Sequence, residues 1–149
     1  MNLFAEIGTH LSGLERLRIM MESGRLTGIE ETLGFRLVEV EEGRVVVEGT
    51  PGLHVYNPFG VVHGGYAAAL LDNACGYAAQ SKMIAGQAST TLELKVAYHK
   101  AITKETGLVR AEGKIVSIGR RAAFTEGRLT DIAGKLYASA TSSLLVISS

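Results

Sequence analysis

The sequence predicts an α+β fold in which an antiparallel sheet of about six strands wraps around one long central helix, with an extra helix at the N-terminus. Two patterns predict it. Apolar and polar residues alternate with a period of two over six segments, and one further segment, residues 64–83, is apolar on nearly every face. A helix of that kind is buried, so the strands must cover it.

Residues 1–26 have apolar side chains at helical spacing, which predicts an amphipathic N-terminal helix ahead of a domain spanning residues 27–149. Two capping-box patterns, in which Glu follows Ser or Thr after two intervening residues, lie at Ser12–Glu15 and Thr27–Glu30. The first either lies inside the N-terminal helix or restarts it. The second predicts a short helix that Gly34 would end.

The remaining elements follow from changes of period along the chain. The central helix, residues 64–83, has no β-branched run and stops near Gly86. The irregular stretch before it holds both prolines. The segment Glu41-Glu42-Gly43 predicts a hairpin between the first two strands. The six predicted strands are residues 35–40, 44–49, 90–100, 107–118, 120–130 and 135–147.

Composition excludes several classes of protein. Fifteen basic residues balance fifteen acidic ones, so no net charge attracts nucleic acid or a membrane surface. The chain lacks an apolar run of about 18 residues and the features of a signal peptide, so we expect a cytoplasmic protein without a membrane span. The single cysteine, Cys75, excludes an intrachain disulfide and a cysteine-built zinc site.

The first candidate catalytic residues lie at the start of the central helix. His63-Gly64-Gly65 stands where N–H groups have no intrahelical acceptor, and these donors favour a developing oxyanion. Its two glycines carry no side chain that would block a carbonyl, although the tripeptide alone is more typical of a turn. Asp72 lies in the apolar helix, where a buried carboxylate needs a partner, water or a chemical role. Pairing of Asp72 at a subunit contact is the alternative, and Asn73 fits both.

The spacing of these groups predicts a site shared between chains. His63 and Asp72 are nine residues apart, which is ~13.5 Å along a helix and ~2.5 turns of rotation. They cannot act on one carbonyl within one chain. If both are catalytic, Asp72 must meet the Gly64 amide of a neighbouring subunit. A helix only partly covered by its own sheet also predicts a second copy, so burial and chemistry indicate the same dimer.

The motif Asn57-Pro-x-Gly-x-x-His63-Gly64-Gly65, with Asp72 nine residues on and Leu92-x-Leu-x-Val96-x-Tyr98 after the helix, resembles the hotdog-fold acyl-CoA thioesterases of the phenylacetic acid degradation (PaaI-like) family. The resemblance runs from about residue 27 to residue 146. It implies hydrolysis of a small aryl- or medium-chain acyl-CoA, with coenzyme A as part of the substrate and no metal or other cofactor. It also implies a homodimer, paired into a homotetramer.

By that resemblance, the Gly64 amide would polarise the thioester carbonyl. His63 and Asn57 would order the loop or the attacking water. Asp72 of the partner would act either as general base or as nucleophile.

The resemblance also implies residues that contact substrate. A hydroxyl in the strand after the helix would help to place water, with Thr91 as first choice and Thr90 as second. Gly76 stands where some relatives carry a hydroxyl, and it leaves room for an acyl group. Tyr66 and Tyr77 either line that pocket or pack in the core. Substrate-binding roles are thus predicted for Gly65, Tyr66, Gly76, Thr90, Arg120 and Arg121.

The two arginines lie at a predicted turn that resembles the place where relatives meet the nucleotide, and guanidinium donors suit phosphate. Two solvated turn arginines are the alternative. Two other functions stay open. A hydratase or dehydratase of this fold would need an acid soon after His63, and a non-catalytic acyl-CoA-binding module would not need Asp72.

Overall fold

The computed structural model describes residues 2–148 and confirms the predicted α+β arrangement of a six-stranded antiparallel sheet and one long helix. Helices α1 to α4 span Leu3–Ile7, Gly13–Ser23, Ile29–Leu33 and Gly64–Gln80. Strands β1 to β6 span Phe35–Glu41, Arg44–Gly49, Gln87–Tyr98, Val109–Ile118, Ala122–Asp131 and Leu136–Ser148. Over this part of the chain, no helix combines the length and the apolarity needed to cross a membrane.

The sheet has the order β1-β2-β4-β5-β6-β3, and all its pairs are antiparallel. Helix α4 packs on one face of it. Strand glycines allow close approach: a Cβ on Gly113 would lie 2.1 Å from the Ala74 carbonyl oxygen, and one on Gly127 would lie 3.0 Å from Leu71 Cδ2. The apolar central helix is therefore buried directly against the backbone of the sheet.

The N-terminal segment differs from its prediction, because the single helix expected over residues 1–26 is two helices. Gly8, with a φ of 140°, ends α1 in a conformation that favours glycine. Ser12 then starts α2 with a complete capping box, in which its Oγ accepts from the Glu15 N–H at 3.3 Å and Glu15 Oε2 accepts from the Ser12 N–H at 2.8 Å. Helix α2 is part of the main core, since Leu17 is fully buried there.

Several element boundaries also shift by one to three residues. Helix α4 ends at Gln80 rather than at residue 83, because the next residues form tighter i→i−3 hydrogen bonds. Strand β3 begins at Gln87 because it continues to pair with the end of β6. The capping box at Thr27–Glu30 is half formed. Glu30 Oε2 accepts from the Thr27 N–H at 3.4 Å, but the residue at the N-cap is Gly28.

Candidate functional site

Asp72 lies on the side of α4 that faces β3, where it contacts one of the two candidate threonines. Thr91 Oγ1 donates a hydrogen bond to Asp72 Oδ1 at 2.9 Å. The pairing of β3 with β6 shifts between Thr91 and Glu93, so a bulge follows the threonine directly. Thr90 belongs to the other face of the strand. The structure therefore brings Thr91, and not Thr90, to the carboxylate.

A cavity of about 180 Å³ opens beside Asp72, and we call it the acid cavity. Gly76 widens it, because nothing lies within 4 Å of the position that a Cβ on Gly76 would take. Tyr77 lines the cavity and is only partly buried. The space predicted at Gly76 is thus present beside the acid.

At the start of α4, His63 caps the helix. Its Nδ1 accepts from the Gly65 N–H at 2.7 Å, and its carbonyl oxygen accepts from the Tyr66 N–H. Gly65 is needed for this contact, since a Cβ there would lie 2.9 Å from His63 Nδ1. The Gly64 N–H has no acceptor within residues 2–148. The helix start therefore offers the Gly64 N–H to a ligand, while the Gly65 N–H is already used.

The loop before α4 is held by Asn57. Its Oδ1 accepts from the Phe59 N–H at 3.0 Å and from the Val61 N–H at 3.4 Å, and its own N–H donates to the Val61 carbonyl oxygen. These bonds close a tight loop that leads straight into His63. Asn57 thus acts on the geometry of the helix start through the backbone.

Tyr98, near the end of β3, lies over the first residue of α4. Its hydroxyl donates to the Gly64 carbonyl oxygen at 2.7 Å, and a Cβ on Gly64 would come 3.1 Å from the tyrosine ring. His63, Gly64 and Tyr98 line a second cavity of about 310 Å³, which we call the helix-start cavity.

The acid cavity and the helix-start cavity are separate. They have no lining residue in common. Asp72 follows Gly64 by eight residues of continuous α4, which corresponds to ~12 Å of rise. Within one chain, the structure does not bring the free N–H and the carboxylate together.

Three residues predicted to bind substrate, Tyr66, Arg120 and Arg121, do not line the acid cavity. Tyr66 is 2% exposed and does not line the acid cavity. Its hydroxyl lies against β2, where a Cβ on Gly49 would come 2.3 Å from it, and burial raises the pKa of Tyr66 to about 12. Tyr66 is therefore a core residue. Arg120 and Arg121 are exposed in the turn between β4 and β5, and their role toward phosphate stays a prediction.

Cys75 is unsuited to be a nucleophile. It is fully buried on α4, and burial, with a smaller contribution from the Asp72 carboxylate, raises the pKa of its thiol to about 11. The thiol therefore stays protonated near neutral pH, and the reactive thiolate is absent. Asp72 remains the candidate reactive group on this helix.

One residue beside the site was not predicted to belong to it. Glu30, assigned from sequence only to a helix cap, is 2% exposed and accepts from Tyr77 Oη at 2.7 Å and from Asn73 Nδ2 at 3.3 Å. The contacts join residues far apart in sequence, so no local pattern reveals them. A sequence signal existed only on α4, where Asn73 and Tyr77 are polar groups one turn apart on an apolar helix.

Comparisons with known proteins find similarity in sequence and in fold. A family model described as "Thioesterase superfamily" matches residues 59–138. A 1,4-dihydroxy-2-naphthoyl-CoA hydrolase of Listeria monocytogenes is 34% identical over 109 residues, 73% of this chain and 87% of that protein. A hypothetical thioesterase of Streptococcus pneumoniae, solved with coenzyme A, has a TM-score of 0.69 at 25% identity, covering 76% of this chain and 89% of its own. The E. coli PaaI protein, from the phenylacetic acid degradation operon, shares the fold with a TM-score of 0.78 at 19% identity. The match covers 91% of this chain and 94% of the PaaI chain.

Proposed function

Because the chain belongs to the thioesterase superfamily and is a thioester hydrolase, we propose that it cleaves a small aryl- or medium-chain acyl-CoA to the free acid and coenzyme A. Asp72 of one subunit and the Gly64 N–H of another act on the same carbonyl. One observation carries the proposal: a carboxylate held by Thr91 and a helix start with a free N–H lie at the two ends of one strand. We expect no cofactor other than the coenzyme A of the substrate.

The chemistry follows from what the two groups can do. The Gly64 N–H donates to the thioester oxygen, and this bond strengthens as the oxygen gains negative charge. Asp72 either takes a proton from water as that water attacks the carbonyl carbon, or attacks the carbon itself. In the first route the oxygen of the attacking water becomes the new oxygen of the acid. In the second route the acyl group is first held on Asp72 as an anhydride, and water then hydrolyses that bond to release the acid and restore the carboxylate. In both routes the C–S bond breaks, and the coenzyme A sulfur leaves and is protonated. Thr91 holds the carboxylate in one orientation.

Strand β3 supports the shared site. Thr91 near its start contacts Asp72, and Tyr98 at its end contacts Gly64. If two copies pair antiparallel along β3, the Thr91 end of one strand lies beside the Tyr98 end of the other. Each Asp72 is then carried toward the Gly64 N–H of the second copy. One dimer would hold two complete sites.

The free edge of β3 explains why a second copy is expected there. Within residues 2–148, β3 pairs with β6 and with no other strand. It is twelve residues long, and Leu92 on it is 65% exposed. Native proteins rarely leave a long edge strand with apolar side chains uncovered, and pairing with a second copy covers it. We propose a homodimer through this edge, and a dimer of dimers as its assembly.

For the acyl group, the Listeria relative supports an aromatic acid, since its name describes a naphthoyl-CoA hydrolase. The likeness of fold to the E. coli PaaI protein is compatible with a phenylacetyl group. We propose an aryl-CoA first and a medium-chain acyl-CoA second. Arg120 and Arg121 are proposed to meet the phosphates of coenzyme A.

The experiment that tests this function is thiol release from a panel of aryl- and alkyl-CoA thioesters, with Thr91→Val as the first variant. Valine keeps the shape of threonine but cannot donate to Asp72, and a hydrogen bond to a charged group is worth roughly 1.5–3 kcal/mol. We expect wild-type turnover and a fall in kcat of about 10-fold or more in Thr91→Val.

Thr90→Val is the matched control, because it makes the same change one residue away on the other face of β3. We expect its kcat to stay within about twofold of wild type. The absence of wild-type turnover, with tight binding of the thioesters, would instead support a non-catalytic binding module. If the two valine variants lowered kcat equally, the hydrogen bond from Thr91 to Asp72 would have no specific role in the reaction.

A further inference from the structure

The acid cavity is closed on one side by the N-terminal segment. Phe4, on α1, lines this cavity, while the other lining residues in the described part of the chain belong to α4, β3 and β6. Phe4 also lies outside residues 59–138, which match the thioesterase superfamily. The superfamily pattern therefore does not predict this wall of the cavity.

The ring of Phe4 is held by a charged side chain that is itself fixed. The Arg16 guanidinium on α2 lies over the ring, with its Cζ 5.4 Å from the ring centroid, a distance at which a cation is attracted to an aromatic face. Arg16 is 5% exposed, and its Nη2 donates to the Gln87 carbonyl oxygen at 2.8 Å. Because Arg16 is anchored at the start of β3, the ring has a defined place beside the cavity.

Helix α1 depends on packing for its position. It has five residues, too few to be stable alone, and none of them is fully buried. Leu3, Phe4 and Ile7 are partly buried and pack against the main core. The Glu6–Arg25 ion pair, at 3.1 Å, is about half exposed on both sides, so it adds little to the free energy that holds the helix. The Phe4 ring is thus both a wall of the cavity and one of the contacts that hold α1.

The size of the acid cavity limits what can enter it. Its volume is about 180 Å³, and an engineered apolar cavity of roughly 150 Å³ in another protein binds benzene. The cavity closed by Phe4 therefore has room for about one six-membered ring. Two fused rings need more space, and loss of the Phe4 side chain would extend the cavity toward α1.

We propose that Phe4 determines acyl-group specificity, because its ring limits the acid cavity to an acyl group with about one aromatic ring. The inference deepens the proposed function and rests on it, since the acid cavity is taken as the acyl site. A wider acyl group meets the Phe4 ring, and a packed site resists added volume. The chain is then expected to differ in substrate size from the Listeria relative, whose name describes a two-ring naphthoyl group.

The test compares two coenzyme A thioethers that cannot be hydrolysed, S-benzyl-CoA with one ring and S-naphthylmethyl-CoA with two. Their affinities are measured by calorimetry on the intact protein. Since overpacking is costly, we expect wild type to bind the benzyl ligand about 10-fold more tightly than the naphthylmethyl ligand. In Phe4→Ala, the naphthylmethyl ligand should bind about 10-fold more tightly than it does in wild type, so that the preference disappears or reverses.

Phe4→Trp makes the opposite change. Its larger indole takes up part of the cavity, so the affinity for S-benzyl-CoA should fall about 10-fold, while the affinity for S-methyl-CoA stays within about twofold of wild type. Leu3→Ala is the matched control, because Leu3 is partly buried on the same helix but does not line the acid cavity. We expect it to keep the wild-type preference to within about twofold. Melting temperatures show whether each variant is folded.

The outcomes separate this inference from the proposed function. Equal binding of the two aryl ligands by wild type, or a benzyl preference that survives Phe4→Ala, would overturn the size limit. An equal loss of preference in Leu3→Ala would also overturn it, because docking of α1 rather than the Phe4 ring would then set the limit. A preference that depends on Phe4, in a protein that cleaves no aryl- or alkyl-CoA thioester, would support the size limit and contradict the proposed function.

Discussion

Replacing Asp72 with asparagine is expected to lower the turnover of the best thioester by ~100-fold or more, since general base catalysis alone contributes 10²–10⁴-fold. Asparagine has nearly the same size, and its Oδ1 can still accept from Thr91 Oγ1. The fold should therefore survive, while the charge that activates water or attacks carbon is lost. The measurements are kcat for thiol release and the melting temperature of both proteins.

The Asp72→Asn variant needs a control that exchanges a carboxylate and an amide elsewhere in the chain. Asn73→Asp is unsuitable, because Asn73 donates to Glu30. Glu93→Gln is better matched. It removes a carboxylate from an exposed position on β3, and we expect its kcat to stay near that of wild type. Wild-type turnover in a folded Asp72→Asn protein would show that the carboxylate takes no part in the reaction.

Replacing Gly64 with proline is expected to lower kcat by ~10²–10³-fold, as removal of one oxyanion donor does in other hydrolases. Gly64 is the first residue of α4, and proline is well tolerated there because its missing N–H has no intrahelical acceptor. His63, with φ −59° and ψ 136°, already has the extended backbone that precedes a proline. The substitution therefore removes the N–H and keeps the helix.

Gly64→Ala is the matched control for the steric part of that change. Both variants place a Cβ about 3.1 Å from the Tyr98 ring, which is half exposed and free to move aside. Only the proline removes the N–H. We expect a fall in kcat below about 10-fold for the alanine variant. Similar losses in the two variants would mean that crowding by Tyr98, and not the N–H, controls the rate.

Much of the fold could be predicted because its signals are local. The hairpin at residues 41–43 and the start of α4 at Gly64 lie where the sequence predicts them, since turn residues and the change of period act over a few positions. The interruption at Gly8 could not be predicted in this way. Apolar residues continue at helical spacing across it, and only the backbone angle of the glycine ends the helix.

The candidate site, like the fold, could be predicted from sequence only in part. The separation of Gly64 from Asp72 follows from sequence because helix geometry is rigid. The choice between Thr90 and Thr91 does not, because it depends on a bulge that forms only when β3 pairs with β6.

Tyr66 and Tyr77 show why burial escaped prediction. They are eleven residues apart, about three turns, so they point to nearly the same side of α4. Their different environments come from what covers each end of the helix. Tyr66 meets β2 beside Gly49, whereas Tyr77 meets Glu30, 47 residues away in sequence.

A site shared between two chains is tested most directly by mixing two inactive variants. Gly64→Pro chains keep Asp72, and Asp72→Asn chains keep the Gly64 N–H, so a mixed dimer regains one of its two sites. Different affinity tags on the two chains allow the mixed dimers to be isolated after refolding together.

In isolated mixed dimers, we expect thiol release at about half the wild-type rate, because one site of each pair is complete. Either parent variant alone should stay ~100-fold or more below wild type. Mixed dimers that are folded and correctly assembled, yet no more active than their parents, would contradict a site built from Asp72 of one subunit and Gly64 of the other.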